Sequence, residues 1–126
     1  MDEIETKNIL ITETFGFKKA YSVSYKTDWW IINEIPKTLG MGHLSEDMEF
    51  HKNSNWQDWA IANIHENTKF IIEILKPCVV LHDEYYREVK EDMFVFEYNN
   101  FEELQLAKFN AIVKYCELIK ENRNAK

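Results

Sequence analysis

Residues 54–76 read SNWQDWAIANIHENTKFIIEILK, and the architecture turns on how far their period runs. Ser54 and Gln57 have the S-x-x-Q spacing of a capping box, whose side chains satisfy backbone N–H groups that a helix start leaves unpaired. From there Ala60, Ile61, Ile64, Thr68, Ile71, Ile72 and Leu75 share one wide stripe at about 100° per residue. The first residue that forbids continuation is Pro77, which has no N–H to give. The spacing predicts one long helix over 54–76 with its apolar stripe turned to a core.

Towards the C-terminus, 78–87 (CVVLHDEYYR) and 93–98 (MFVFEY) are rich in β-branched and aromatic residues, with the charged segment 88–92 between them, and read as a hairpin. Asn100 followed three residues later by Glu103 marks a second helix start, and a helix to about residue 122 follows. Its expected core stripe is Phe101, Leu104, Ala107, Ala111, Ile112, Tyr115, Leu118 and Ile119.

Towards the N-terminus, 8–14 (NILITET) and 20–26 (AYSVSYK) alternate with period two around Gly16, and read as another hairpin. In its second strand Tyr21, Val23 and Tyr25 form the face expected to be covered, with Ser22 and Ser24 opposite. The run 29–35 (WWIINEI) is expected as a third strand, and Pro36 opens a loop over 36–53. The order ββ(β)αββα predicts an α+β fold: an antiparallel sheet of about five strands with two long helices packed on one face.

The chain has 126 residues, which fits a single domain over 1–126. Its 22 acidic against 15 basic side chains give a net charge of −7, which disfavours nucleic acid as a partner. No apolar run is long enough for a membrane span, and the acidic start MDEIETKN is not a signal peptide, so the expected location is the cytoplasm, with no membrane partner. Cys78 and Cys116 have no C-x-x-C spacing and read as reduced thiols. Phosphate-binding glycine loops and the G-x-S-x-G elbow are absent from the sequence.

Four constellations carry chemistry. Continuing the long helix places Trp56, Trp59, Asn63, Asn67, Phe70 and Ile74 along one edge, where aromatics separated by amides suit a protein contact or a planar ligand. Glu46, Asp47 and Glu49 in the preceding loop form an acidic rim that would steer a basic partner. On the 78–98 hairpin, Glu97 is expected opposite Asp83 or Glu84 with His82 nearby, a pattern from which acid/base or metal chemistry is built, with Arg87 or Lys90 as neutralising cations. Lys108 winds onto the apolar stripe of the last helix, and must reach solvent or meet a carboxylate or anionic ligand. His43, His51 and His65 lack metal-ligand spacing, so neither a metal nor a cofactor is expected.

These features favour a non-enzymatic protein-binding module of inhibitor, immunity or antitoxin type, such as a virus or mobile element encodes. It would block a partner with a basic surface, with no catalytic residues. The alternatives are a protein that binds a small planar, nucleotide-like ligand through Trp59, Phe70, Asn63 and Asn67, and a metal-assisted hydrolase built on His82 and the carboxylates. A homodimer through the same aromatic edge is a further use of it.

Overall fold

The computed structural model describes residues 2–32, 34–36, 42–83 and 93–124, with side chains as far as Glu121. Its fold is α+β, but with three helices and two three-stranded antiparallel sheets among the described residues. The single sheet of about five strands is thereby corrected.

The first change is at the N-terminus, where 8–14 lies in a helix, α1 (Glu3–Thr14). Asp2 caps it by accepting from the Glu5 N–H at 2.7 Å, and Lys7 pairs with Glu3 at 2.9 Å one turn away. The side chains of the threonines and of Asn8 turn back onto the helix. Thr6, Asn8, Thr12 and Thr14 each donate to the carbonyl four residues earlier, at 2.7–3.1 Å. Gly16, with φ +74°, ends the helix: its N–H donates to Glu13 O at 3.1 Å and that of Phe17 to Thr12 O at 3.2 Å, the two bonds of a Schellman motif. The positive φ expected of Gly16 is present, but it stops a helix instead of joining two strands.

β1 (Lys18–Ser22), β2 (Thr27–Ile31) and β3 (Gly42–His43) follow as a meander in which Lys18 pairs with Ile31, Ser22 with Thr27 and Trp30 with His43. The third strand expected over 29–35 is therefore centred earlier, and the loop 36–53 contains β3 and a 3-10 turn at Ser45–Asp47.

The second change is within 54–76. α2 runs from Ser54 to Asn67 only, and Phe70–Ile74 is a strand, β4. Asn67 Nδ2 donates to Asn63 O at 3.1 Å and the Thr68 hydroxyl to Ile64 O at 2.7 Å, so side chains take up carbonyls at the end of the helix. The same hydroxyl then accepts from the Phe70 N–H at 3.0 Å and turns the chain into the strand. Isoleucines 71, 72 and 74 are β-branched, and pairing with β5 (Cys78–Asp83) suits them better than a helix interior. Pro77 sits in the β4–β5 turn instead of at a helix end.

The start of α2 also differs from the expected capping box. Asn53 is the cap, its Oδ1 accepting from the N–H groups of Asn55 and Trp56. Gln57 is fully buried, and its Nε2 donates to Phe50 O at 2.9 Å and Gln105 O at 3.0 Å. Gln105 in turn donates to Lys52 O and Ser54 Oγ, so two amides join the 50–54 turn to the last helix.

β5 pairs with β6 (Phe94–Glu97) as expected of a hairpin, and α3 (Phe101–Asn124) starts at its predicted cap, with Asn100 Oδ1 accepting from Glu103 N–H at 2.8 Å. The residues 84–92 lie outside the described ones, and with them the roles expected of Glu84, Arg87 and Lys90. α3 packs against α1, α2 and the β4–β5–β6 sheet. Ile72, Leu81 and Phe94 form one cross-strand row on the sheet face beneath it. Ala107, Ala111, Ile112 and Tyr115 of the expected stripe are buried, whereas Phe101 is 65% exposed because it stands at the first turn. One buried cluster links Ile11, Trp30, Phe50, Ile64, Leu81 and Phe109, and so draws on all three helices and both sheets.

Candidate interaction surface

Ending α2 at Asn67 dissolves the edge predicted along it. Trp56 is 2% exposed, held edge-on by Phe50 at 5.1 Å and His43 at 5.3 Å, and presents no ring face to a partner. Trp59 is half-buried between Phe15 at 5.3 Å and Phe17 at 5.2 Å. Asn63 is half-buried, and Asn67 spends its amide on the end of the helix. Phe70 belongs to β4 and packs on Tyr115 at 5.5 Å, and Ile74 is on the same strand. Of the predicted group Asn67 and Phe70 share a concavity, an open one of about 550 Å³ with Lys69 and Ile119. The aromatic content of this region is core, which is where large rings release most free energy.

Glu46 and Asp47 are exposed in the 3-10 turn, while Glu49 is half-buried. Lys108 is buried, and its Nζ meets Asp58 Oδ1 at 2.7 Å across the α2–α3 contact, the carboxylate alternative of the two its position allowed. Asp58 itself remains 64% exposed, so the pair reaches solvent through the acid.

On the second hairpin Asp83 and Glu97 do not face each other, and Glu84 lies outside the described residues. The register sets Glu97 opposite Cys78, four residues along β5 from His82, or about 14 Å at the rise of a strand. Asp83 pairs with Phe70 and alternates to the face opposite His82. His82, 4% exposed, gives its Nε2 to Glu73 Oε1 at 2.7 Å, and no group of three or more metal-binding side chains converges among the described residues. His65 is exposed, as its place on the polar side of α2 implied.

His51 has a different use. Asn8, 1% exposed, accepts from the Phe50 N–H through Oδ1 at 3.0 Å, which fixes the amide so that Nδ2 faces His51 Nδ1 at 3.0 Å. That nitrogen must therefore accept, and the ring is neutral with its proton on Nε2. Burial, followed by the nearby Lys52 cation, holds the His51 pKa below the usual imidazole range against the pull of Glu49 and Asp2. Burial also pushes the fully buried Cys116 thiol up to about 12, which removes it as a nucleophile.

What the core leaves outside is the β1–β2 hairpin. Tyr21, Val23 and Tyr25 are 62%, 81% and 60% exposed, three large apolar side chains within five residues. The sequence pattern marked this face as the covered one; instead Ser22 is buried and accepts from the Tyr25 N–H at 3.3 Å. Beside them Trp29 is half-buried, its ring 6.2 Å from Tyr25. A Cβ on Gly42 would fall 2.1–2.6 Å from three Trp29 ring atoms, so the indole lies flat on a backbone that only glycine leaves bare. Lys19 sits 4.7 Å over Trp30. The signal available in the sequence was the run KKAYSVSYKTDWW, in which three lysines and an aspartate are interspersed with the aromatics, a charge content that a buried strand does not tolerate.

Comparison with known protein families, curated proteins and solved structures returns no match.

Proposed function

We propose that the chain is a non-catalytic protein-binding module, of the inhibitor or immunity type, that contacts its partner through the β1–β2 hairpin. The observation that carries this reading is the exposure of Tyr21, Val23 and Tyr25 together, next to the flat Trp29 ring. Isolated apolar residues on a surface need no explanation, but contiguous aromatics that the fold could have buried are the usual anchors of a protein contact. Support also comes from the chemistry of the candidate acids and thiols. His82 is turned to Glu73, Cys116 is buried, and Asp83 and Glu97 are apart.

The test is a photo-reactive amino acid placed at Val23 in cells that produce the chain. The expected result is one dominant protein adduct, lost when Tyr21 and Tyr25 are replaced by serine while the melting temperature is unchanged. A small-molecule adduct, or a protein adduct that ignores the tyrosines, defeats the reading.

A further inference from the structure

We propose that the partner contributes an acidic, extended segment that pairs with the free edge of β1 and becomes a fourth strand of the β1–β2–β3 sheet. This deepens the protein-binding reading and rests on it.

The strand order β1-β2-β3 gives β1 a neighbour on one side only among the described residues. In an antiparallel ladder alternate residues turn their N–H and C=O groups away from the neighbour, so such an edge offers a row of donors and acceptors. Edges are commonly blunted by a bulge, a proline or a covering element. β1 has five consecutive one-to-one pairs with β2, no proline, and is exposed from Lys18 to Tyr21. Among the described residues it is a regular and exposed edge.

Charge decides what fits it. The whole chain is at −7, yet Lys18, Lys19 and Lys26 stand on this hairpin against Asp28 alone. Screening confines the influence of distant carboxylates to about 8–10 Å at ordinary ionic strength, so an incoming strand meets the local cations first. Lys18 and Lys19 are adjacent in the strand and project to opposite faces, so an acidic segment finds a cation on either face. A second copy is the poorer occupant, because antiparallel self-pairing centred on Ala20 sets Lys18 against Ser22 and Lys19 against Tyr21 and brings no carboxylate to either lysine. Tyr21 near the end of β1, and Val23 and Tyr25 in the turn that follows it, are apolar anchors beside the edge, which sets the direction in which an added strand gains most contact.

The experiment uses the intact chain, isotope-labelled, with three probes: a capped peptide alternating glutamate and valine, its lysine counterpart, and an oligothymidylate. The glutamate peptide is expected to slow amide exchange over Lys18–Ser22 by about tenfold at saturation, and to bind about tenfold more weakly to the K18E/K19E variant, which then prefers the lysine peptide. The peptide comparison on the unchanged chain stands even if that variant folds poorly. Binding without protection of the β1 amides, equal binding of both peptides, preference for the oligothymidylate, or β1 amides protected by self-association each overturns strand addition. If Val23 captures a protein but β1 stays unprotected in that complex, only the docking mode fails. If no protein is captured there, the protein-binding reading fails as well.

Discussion

Replacing Asn8 by aspartate should reverse the direction in which pH affects stability. In the native chain the amide donates to His51 Nδ1 and to Ile4 O while accepting from Phe50 N–H. A carboxylate in its place keeps the acceptor for Phe50 but has no donor for His51 unless a proton is held between them, on the carboxyl or on the imidazole. The folded variant therefore retains a proton that the unfolded chain, with a free imidazole pKa near 6.5, releases as pH rises. A pKa raised by folding contributes stability below the unfolded value and loses it as pH climbs, at up to about 1.4 kcal/mol per pH unit. Losing the bond to Ile4 costs about 1 kcal/mol at any pH, and at pH 8.5 the proton linkage adds about 3 kcal/mol. In the unchanged chain the His51 pKa is lowered, so its contribution is complete above the free imidazole value and is lost as pH falls through the folded one. Urea unfolding followed by tryptophan fluorescence at pH 6, 7.5 and 8.5 measures both. A variant whose stability runs parallel to the parent between pH 6 and 8.5 would show that Asn8 does not set the state of His51. His51→Asn keeps an acceptor for the amide and should remove the parent's loss of stability on the acid side.

Three further outcomes follow from contacts already described. Gly42→Ala forces the Trp29 ring off the backbone and should cost about 1–3 kcal/mol, most of it recovered when Trp29 is also alanine; a double-mutant cycle with no coupling would disprove the close contact. Asp58→Ala leaves the Lys108 ammonium buried without its acid and should destabilise by about 2 kcal/mol more than Lys108→Met, which replaces the cation with an apolar chain of similar length; equal losses in urea unfolding would contradict this. With its pKa near 12, Cys116 should stay unmodified by a thiol reagent at pH 8 in the folded chain while half-buried Cys78 reacts, and both should react in denaturant; two thiols titrating at once in native buffer would refute it.

Where a local signal had no competitor, the sequence was readable. Asn100 and Glu103 cap α3 because a side-chain acceptor three residues before an N–H is a complete local device. The 78–98 pairing was also legible, since Val79, Val80 and Leu81 have no helical alternative, but its register was not: that depends on which residues meet across the sheet. The 54–76 stretch misled for a definable reason. Thr68, Ile71, Ile72 and Leu75 prolong the 3.6-residue stripe of α2, and only the side-chain capping by Asn67 and Thr68 shows that the helix ends before them. At the other end, Asp2 and Glu5 were an overlooked start signal for α1, outweighed by the β-branched residues of 8–14 until packing of Ile11 on the core is counted. The α2 aromatic edge failed with the helix that was to carry it. The hairpin surface was hidden because the alternation over 20–26 prolongs a strand that ends at Ser22, so Val23 and Tyr25 stand in the turn and not on a sheet face.

The placement of α3 also has a meaning in time. Each sheet is a meander of strands adjacent in the chain, so their pairing can begin as soon as each turn is made. The buried residues of α1, α2 and β5, however, have α3 as a shared packing surface, and α3 is the last element in chain order. During synthesis Ile11, Ile64 and Leu81 thus lack part of their cover until residues 101–124 emerge, and the unfinished chain must stay soluble with an open flank. Residues 1–100, made before α3, carry 18 acidic against 10 basic side chains, a like-charge excess that works against association of such intermediates.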